Sequence, residues 1–427
     1  MIAKIKHLFS ADLVKVSSLN AVSTLIKMLT GLVSVKVVAA VIGPAGIALL
    51  GQLNNFSTIT LGISNGGITS GMTKYLSEYS SSRKKYLLFL GTGFWITVFF
   101  SIITSVILIL GAGYFSRLIL HDEKYKYVFY FFGTTIVLYA LNALLISVIN
   151  GFKEYKKYII ANILGSVVGL IFSVILAVNY GIPGALISAV TFQSFVFLLT
   201  LLIIRKSYWF EWRVFSGKFS KLVAGRLGHF SLMALVSAIL VPVAQLIVRS
   251  YITKNQTLVN AGLWEGINRI SGMYLLVITT SLSVYYLPRL AELRTKQEIR
   301  KEVFSVYKLV IPALLIATLT IFALRNLIIQ ILFTKEFVGM QNLFGFQLIG
   351  DIFKMAGWIL GYLMIAKAMT KTYVIMEITS AALQVMLSIL FINTFGTIGA
   401  TIGYACGHLV YFLIMLMIFR KILFNYE

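Results

Sequence analysis

Between Tyr158 and Ile204 the chain runs for 47 residues without an Asp, Glu, Lys or Arg, broken only at Asn179-Tyr180-Gly181-Ile182-Pro183-Gly184. A helix needs roughly 20 apolar residues to cross a bilayer, so this stretch reads as two spans joined by a tight turn. Ile378 to Phe419 repeats the pattern over 42 residues, with its break at Asn393-Thr394-Phe395-Gly396. The same reading along the chain predicts twelve spans, near 17–42, 46–72, 86–112, 127–149, 158–179, 182–204, 227–249, 258–287, 309–331, 341–366, 372–393 and 397–419. Only 12% of the 427 residues are charged, about half the ~25% of a soluble domain. An all-α integral membrane protein is expected, without room for a large extramembrane domain.

The formal charge of +23, from 37 Lys+Arg against 14 Asp+Glu, would suggest nucleic acid in a soluble protein. Topology accounts for it instead. With both termini cytoplasmic, the cytoplasmic segments carry 26 basic residues and the opposite side carries 7, counting Arg249 and Arg325 at the outer ends of spans 7 and 9. No nucleic-acid partner is expected. Met1 to Asn20 carries Lys4, Lys6, Asp12 and Lys15 without a small-residue cleavage site, so no removable signal peptide is read there. Cys406 is the single cysteine, which excludes a disulfide frame or a cysteine metal site.

The halves of the chain echo each other. A shift of 215 residues places Tyr158 on Tyr373, Gly181 on Gly396, Gly184-Ala185 on Gly399-Ala400 and Arg205-Lys206 on Arg420-Lys421. A shift of 214 places Asn54 on Asn268 and Glu78 on Glu292. Two six-helix bundles follow, 1–204 and 227–427, joined by a basic cytoplasmic linker at 205–226 in which Trp209 and Trp212 read as interfacial anchors. Because six is even, both bundles enter from the same side, related by a pseudo-twofold along the membrane normal.

Chemistry of several kinds is missing from the sequence. Ser216-Gly217-Lys218-Phe219 lacks the earlier glycine and the following Ser/Thr of a phosphate-cradling loop. His7, His121, His229 and His408 are scattered and form no metal motif, so neither an enzyme nor a cofactor is expected. Buried charge is what stands out. Lys27, Lys36, Glu265, Arg269, Asp351, Lys354 and Glu377 fall inside spans, where a charge costs at least ~2.5 kcal/mol. Lys36 is close enough to a span end to snorkel, whereas Lys27 is not.

Glu265 and Arg269 are spaced i,i+4 and Asp351 and Lys354 i,i+3, so each pair shares a helix face. Two readings fit: local ion pairs that lower the cost of insertion, or the lining of a water-filled cavity. In the second, Lys27, Arg269 and Lys354 are substrate-binding cations facing the space between the bundles, and Asp351, Glu265 and Glu377 are candidate coupling or charge-pairing carboxylates. Gln52, Asn54 and Asn55, just after the Gly43-Pro44-Ala45-Gly46 turn, are candidate sugar contacts or helix-packing amides.

Gly43-Pro44-Ala45-Gly46, Phe230 to Leu235, Leu263-Trp264-Glu265-Gly266, Tyr286-Leu287-Pro288-Arg289-Leu290, Gln347 to Lys354 and Gly361 to Lys367 together resemble the Wzx-type flippases of lipid-linked oligosaccharides. These belong to the multidrug/oligosaccharidyl-lipid/polysaccharide exporter superfamily, and the likeness is to O-antigen and common-antigen translocases in particular. The resemblance implies flipping of an undecaprenyl-pyrophosphate-linked glycan across a bacterial inner membrane by alternating access, with an ion gradient as the remaining energy source. It also implies contact with membrane lipid and with a glycan polymerase and chain-length regulator. The alternatives are a drug or cation antiporter of the same superfamily, which would favour an anionic cavity, and a non-transport scaffold for glycan assembly, which would leave the buried charges unexplained.

Overall fold

The computed structural model describes residues 11–211 and 217–424. All regular structure among these residues is helical. In chain order the helices are α1 (Ala11–Ser64), α2 (Thr69–Tyr79), α3 (Arg83–Leu110), α4 (Ala112–Leu120), α5 (Lys126–Gly151), α6 (Tyr155–Ile204), α7 (Lys221–Asn255), α8 (Leu258–Ser281), α9 (Leu287–Glu292), α10 (Lys296–Ala323), α11 (Arg325–Leu332), α12 (Phe344–Ala366), α13 (Thr370–Phe395) and α14 (Thr397–Leu423). Nine helical stretches among the described residues are long and apolar enough to cross a membrane. Two of them, α1 and α6, fold back at Gly43 and Gly181, which makes eleven segments. Leu258–Ser281, which carries Glu265 and Arg269, is the twelfth. Six of these segments precede the stretch 205–220 and six follow it, as the hydropathy pattern predicts.

Glycine makes the turns possible. Gly43 (φ 62°), Gly181 (φ 61°) and Gly396 (φ 61°) all occupy positive φ, a backbone region that residues with a Cβ enter only at a cost. After Gly43 and Gly181, Pro44 and Pro183 open the next helix, where a missing N–H is harmless. The duplication read from the sequence is visible at this level. A Cβ on Gly184 would stand 1.9 Å from the Leu176 carbonyl oxygen, and one on Gly399 would stand 2.1 Å from that of Phe391. Both glycines and both carbonyls are 215 residues apart, so each hairpin closes by the same backbone contact.

The described chain forms two compact units. One comprises residues up to Ile42 together with Gln52–Ile239; the other comprises Gly43–Gly51 and residues from Leu240 onward. In the first, Ile68, at the N-cap of α2, and Met72 and Leu76 within it pack with Phe89, Leu144, Val148 and Trp209. Trp209 is 2% exposed, a departure from the interfacial position its sequence context predicts. Its ring stacks on Phe152 at 5.0 Å and its Nε1 donates to Glu154 at 3.0 Å, so burial is matched by a hydrogen bond. Trp212, Lys4 and Lys6 lie outside the described residues. The core of the second unit gathers Tyr286, Met355, Ile359, Leu363, Tyr411 and Met415 from α8 to α14.

Candidate functional site

In the second unit three helices converge on one carboxylate. Asp351 of α12 is fully buried and accepts hydrogen bonds from Ser271 Oγ at 2.6 Å, from the Tyr404 hydroxyl at 2.7 Å and from the Tyr274 hydroxyl. The periodicity of the helix brings two of these donors together, since Ser271 and Tyr274 are one turn apart on α8, and α14 supplies Tyr404 as the third. Gly350 permits the approach, since a Cβ there would stand 2.3 Å from the Tyr404 ring. Lys354 makes no ion pair with Asp351 within 4.0 Å among the described residues. Its ammonium instead lies over the Trp358 ring at 4.9 Å and the Tyr404 ring at 5.6 Å. Asp351 and Glu377 both stay within electrostatic reach of Lys354, so the cation is held by two aromatic faces in the field of two carboxylates.

A turn toward the N-terminus of α8 lies a second charged cluster. Glu265 accepts from Arg269 Nε at 3.0 Å on its own helix and from Arg249 of α7. The Arg249 side chain is 1% exposed, and its guanidinium lies 5.4 Å from the Trp264 ring centroid. Sequence reading sets Arg249 at the outer end of its span; the fold makes it a buried partner of Glu265. Only its charge near a span end could have flagged it, and that signal is equally that of an interfacial anchor. The residues 43–51 cover this cluster so closely that a Cβ on Gly51 would stand 2.5 Å from Glu265 Cδ. Likewise, Gly262 of α8 leaves no room for a Cβ beneath the Pro44 carbonyl, 1.8 Å away. Two arginines about one glutamate leave a net positive charge within membrane-length helices.

In the first unit, Lys27 Nζ donates to Asn162 Oδ1 at 2.8 Å. Asn162 lines a cavity of about 480 Å³ bounded by the end of α1 and by α2, α5 and α6. Of the three candidate sugar contacts, Gln52 is buried, Asn54 is exposed and Asn55 is half-buried; the amides that do line the cavity are Asn65, Asn142, Asn150, Asn162 and Gln193. No run of spacing joins these five positions, which come together only when the helices pack. A separate apolar cavity of about 700 Å³ in the same unit is lined by Trp95, Phe99, Phe100 and Phe219.

Three comparisons bear on what such sites serve. The sequence profile of the family described as "Polysaccharide biosynthesis protein" matches residues 56–342. The Lipid III flippases of Escherichia coli (strain K12) and Shigella flexneri are each 29% identical to this chain over 401 residues, covering 94% of it and 96% of the relative. Among solved structures, an inward-facing multidrug resistance MATE family transporter of the MOP superfamily superposes with a TM-score of 0.81 at 12% identity, over 94% of this chain and 95% of that one. A MATE transporter of Vibrio cholerae in its bent form gives 0.67 at 16% identity, over 97% and 98%. At such identities the structures speak to the fold alone.

Proposed function

The chain belongs to the polysaccharide biosynthesis protein family, and from that premise we propose that it is a flippase for a polyprenyl-pyrophosphate-linked oligosaccharide, moving it from the cytoplasmic to the periplasmic leaflet of a bacterial inner membrane. The likeness to Lipid III flippases over 94% of the chain supports this reading. So does the chemistry. A pyrophosphate calls for fixed cations, and the cluster of Arg249, Glu265 and Arg269 carries a net positive charge inside helices where an uncompensated charge is costly. Arg269 is the more exposed of its two arginines, at 18% against 1%, and is therefore the one placed to meet an anion while Arg249 holds Glu265. The apolar cavity beside Trp95 and Phe99 suits isoprenyl chains.

The observation that carries the proposal is this net-cationic buried cluster in a chain of this family. A flip is a change of access, and a substrate drives it only as far as it binds one state more strongly than the other. Buried charge pairs that can be exchanged for substrate contacts meet that requirement. In a cell lacking its own common-antigen flippase, the wild-type chain should restore surface glycan. Arg269→Ala should abolish that restoration at unchanged protein level in the membrane. Full export by Arg269→Ala would remove the cationic cluster from the substrate path.

A further inference from the structure

The polar cavity of the first unit has a composition with a narrow chemical meaning. Five of its lining residues carry amides and six carry hydroxyls, against three apolar ones, Leu61, Ala143 and Ile146. Among the described residues no charged side chain lines it, and Lys27 is committed to the lining amide of Asn162. A metal cation would need carboxylates, a phosphate would need lysines or arginines, and an apolar ligand would gain nothing from so many donors and acceptors. Neutral, directional, bifunctional groups beside two tyrosine rings are what a polyhydroxylated ring requires. At about 480 Å³ the cavity falls within the ~300–1,000 Å³ of ordinary ligand sites.

The hydrogen bonds divide the lining into groups that are spent and groups that are held ready. Asn142 accepts from Thr200 at 2.8 Å and donates to Gln193 Oε1 at 3.0 Å, which fixes the Gln193 side chain and leaves its NH2 without an acceptor among the described residues. Asn162 is likewise committed, accepting from Lys27 and donating to the Tyr158 carbonyl at 2.9 Å. By contrast the Tyr139 hydroxyl and the Asn150 amide bond no protein atom among the described residues, though both side chains line the cavity. Tyr139 and Asn150 are both half-buried, so these groups can exchange solvent for the hydroxyls of a ligand without breaking a bond of the fold.

We propose that this cavity binds sugar residues of the transported glycan, with Gln193, Asn150 and Tyr139 as the groups that meet sugar hydroxyls and Asn142 as the positioning residue behind Gln193. The subsite rests on the flippase reading and adds to it where the saccharide, as distinct from the pyrophosphate, is recognised.

The test takes the full-length chain purified in detergent. Its probe is the free repeat-unit oligosaccharide, released by mild acid from the polyprenyl carrier of cells in which the wild-type chain restores surface glycan. Saturation-transfer NMR should detect the free oligosaccharide on the wild-type protein, and Asn150→Leu and Tyr139→Phe should each weaken it roughly three- to tenfold. Both variants should unfold at the same temperature as wild type or higher, because each deletes a polar group without a protein partner. A merely structural role makes the opposite forecast, unchanged binding or earlier unfolding, and either result overturns the subsite. So does the absence of any binding to wild type at millimolar oligosaccharide, as expected of a cavity that holds only water. The parent reading fails separately: a wild-type chain that restores no surface glycan defeats both, whereas restored export that both variants match defeats the subsite alone.

Discussion

Glu265 is the residue on which the charges of the second unit balance. Removing Arg249 would leave Glu265 paired with Arg269, whereas removing Glu265 would take away the carboxylate that both arginines bond. Breaking a buried ion pair costs about 3–5 kcal/mol, so Glu265→Ala should lower the unfolding temperature in detergent further than Arg249→Met does. The reverse order would mean that Arg249 holds the fold by packing on Trp264 rather than by charge. Asp351 poses a different question, because its three donors are all neutral hydroxyls. Asp351→Asn keeps the volume and an acceptor but forfeits ~1 kcal/mol or more for each charged hydrogen bond it replaces. If the carboxylate takes part in the transport cycle, export in a flippase-null cell should fall roughly tenfold with the protein still in the membrane. Undiminished export would leave Asp351 as a structural acceptor for Tyr274 and Tyr404.

At the scale of the helices, the two hairpins separate two costs that glycine usually combines. Gly181 has positive φ and nothing within 4 Å of where a Cβ would sit, so Gly181→Ala adds backbone strain alone, about 1–2 kcal/mol. Gly184 has an ordinary helical backbone but a Cβ site 1.9 Å from the Leu176 oxygen. Gly184→Ala must therefore push the hairpin's helices apart, at the upper end of the ~1–3 kcal/mol of overpacking or beyond. Thermal unfolding should rank Gly184→Ala as the more damaging, and Gly399→Ala above Gly396→Ala in the second hairpin. Equal losses at both positions of a hairpin would show that the helices can separate at little cost. The glycines were legible in the sequence as breaks in charge-free runs, yet nothing there told which glycine turns the chain and which lets helices touch.

For the molecule as a whole, the basic asymmetry of 26 against 7 makes a topological forecast independent of any single site. Reporter fusions after Glu427 and within 205–226 should both signal cytoplasm, since the excess of Lys and Arg is retained on that side. A periplasmic signal from either would overturn the assignment of both termini to the cytoplasm. The docking of Ser207 and Trp209 onto Glu154 makes 205–211 an ordered connection on the first unit, so the inserted reporter is best kept clear of these two residues.

Twelve spans, their turns and the half-length repeat are properties of runs and spacings, legible before any packing because a bilayer demands long apolar segments and a sharp reversal demands glycine. The pairing of Glu265 with Arg269 belongs to the same class, since i,i+4 neighbours meet on any helix. Tertiary structure alone decided the rest. Asp351 turned from Lys354, its neighbour in sequence, to three hydroxyls on α8 and α14, because a buried carboxylate binds the donors that packing supplies. Arg249 moved from an apparent span end into an ion pair for the same reason. The amide-lined cavity draws on Asn65 at the end of α1, Asn142 and Asn150 of α5, and Asn162 and Gln193 of α6. Such a set has no period, because contacts between helices depend on where their axes cross rather than on separation along the chain.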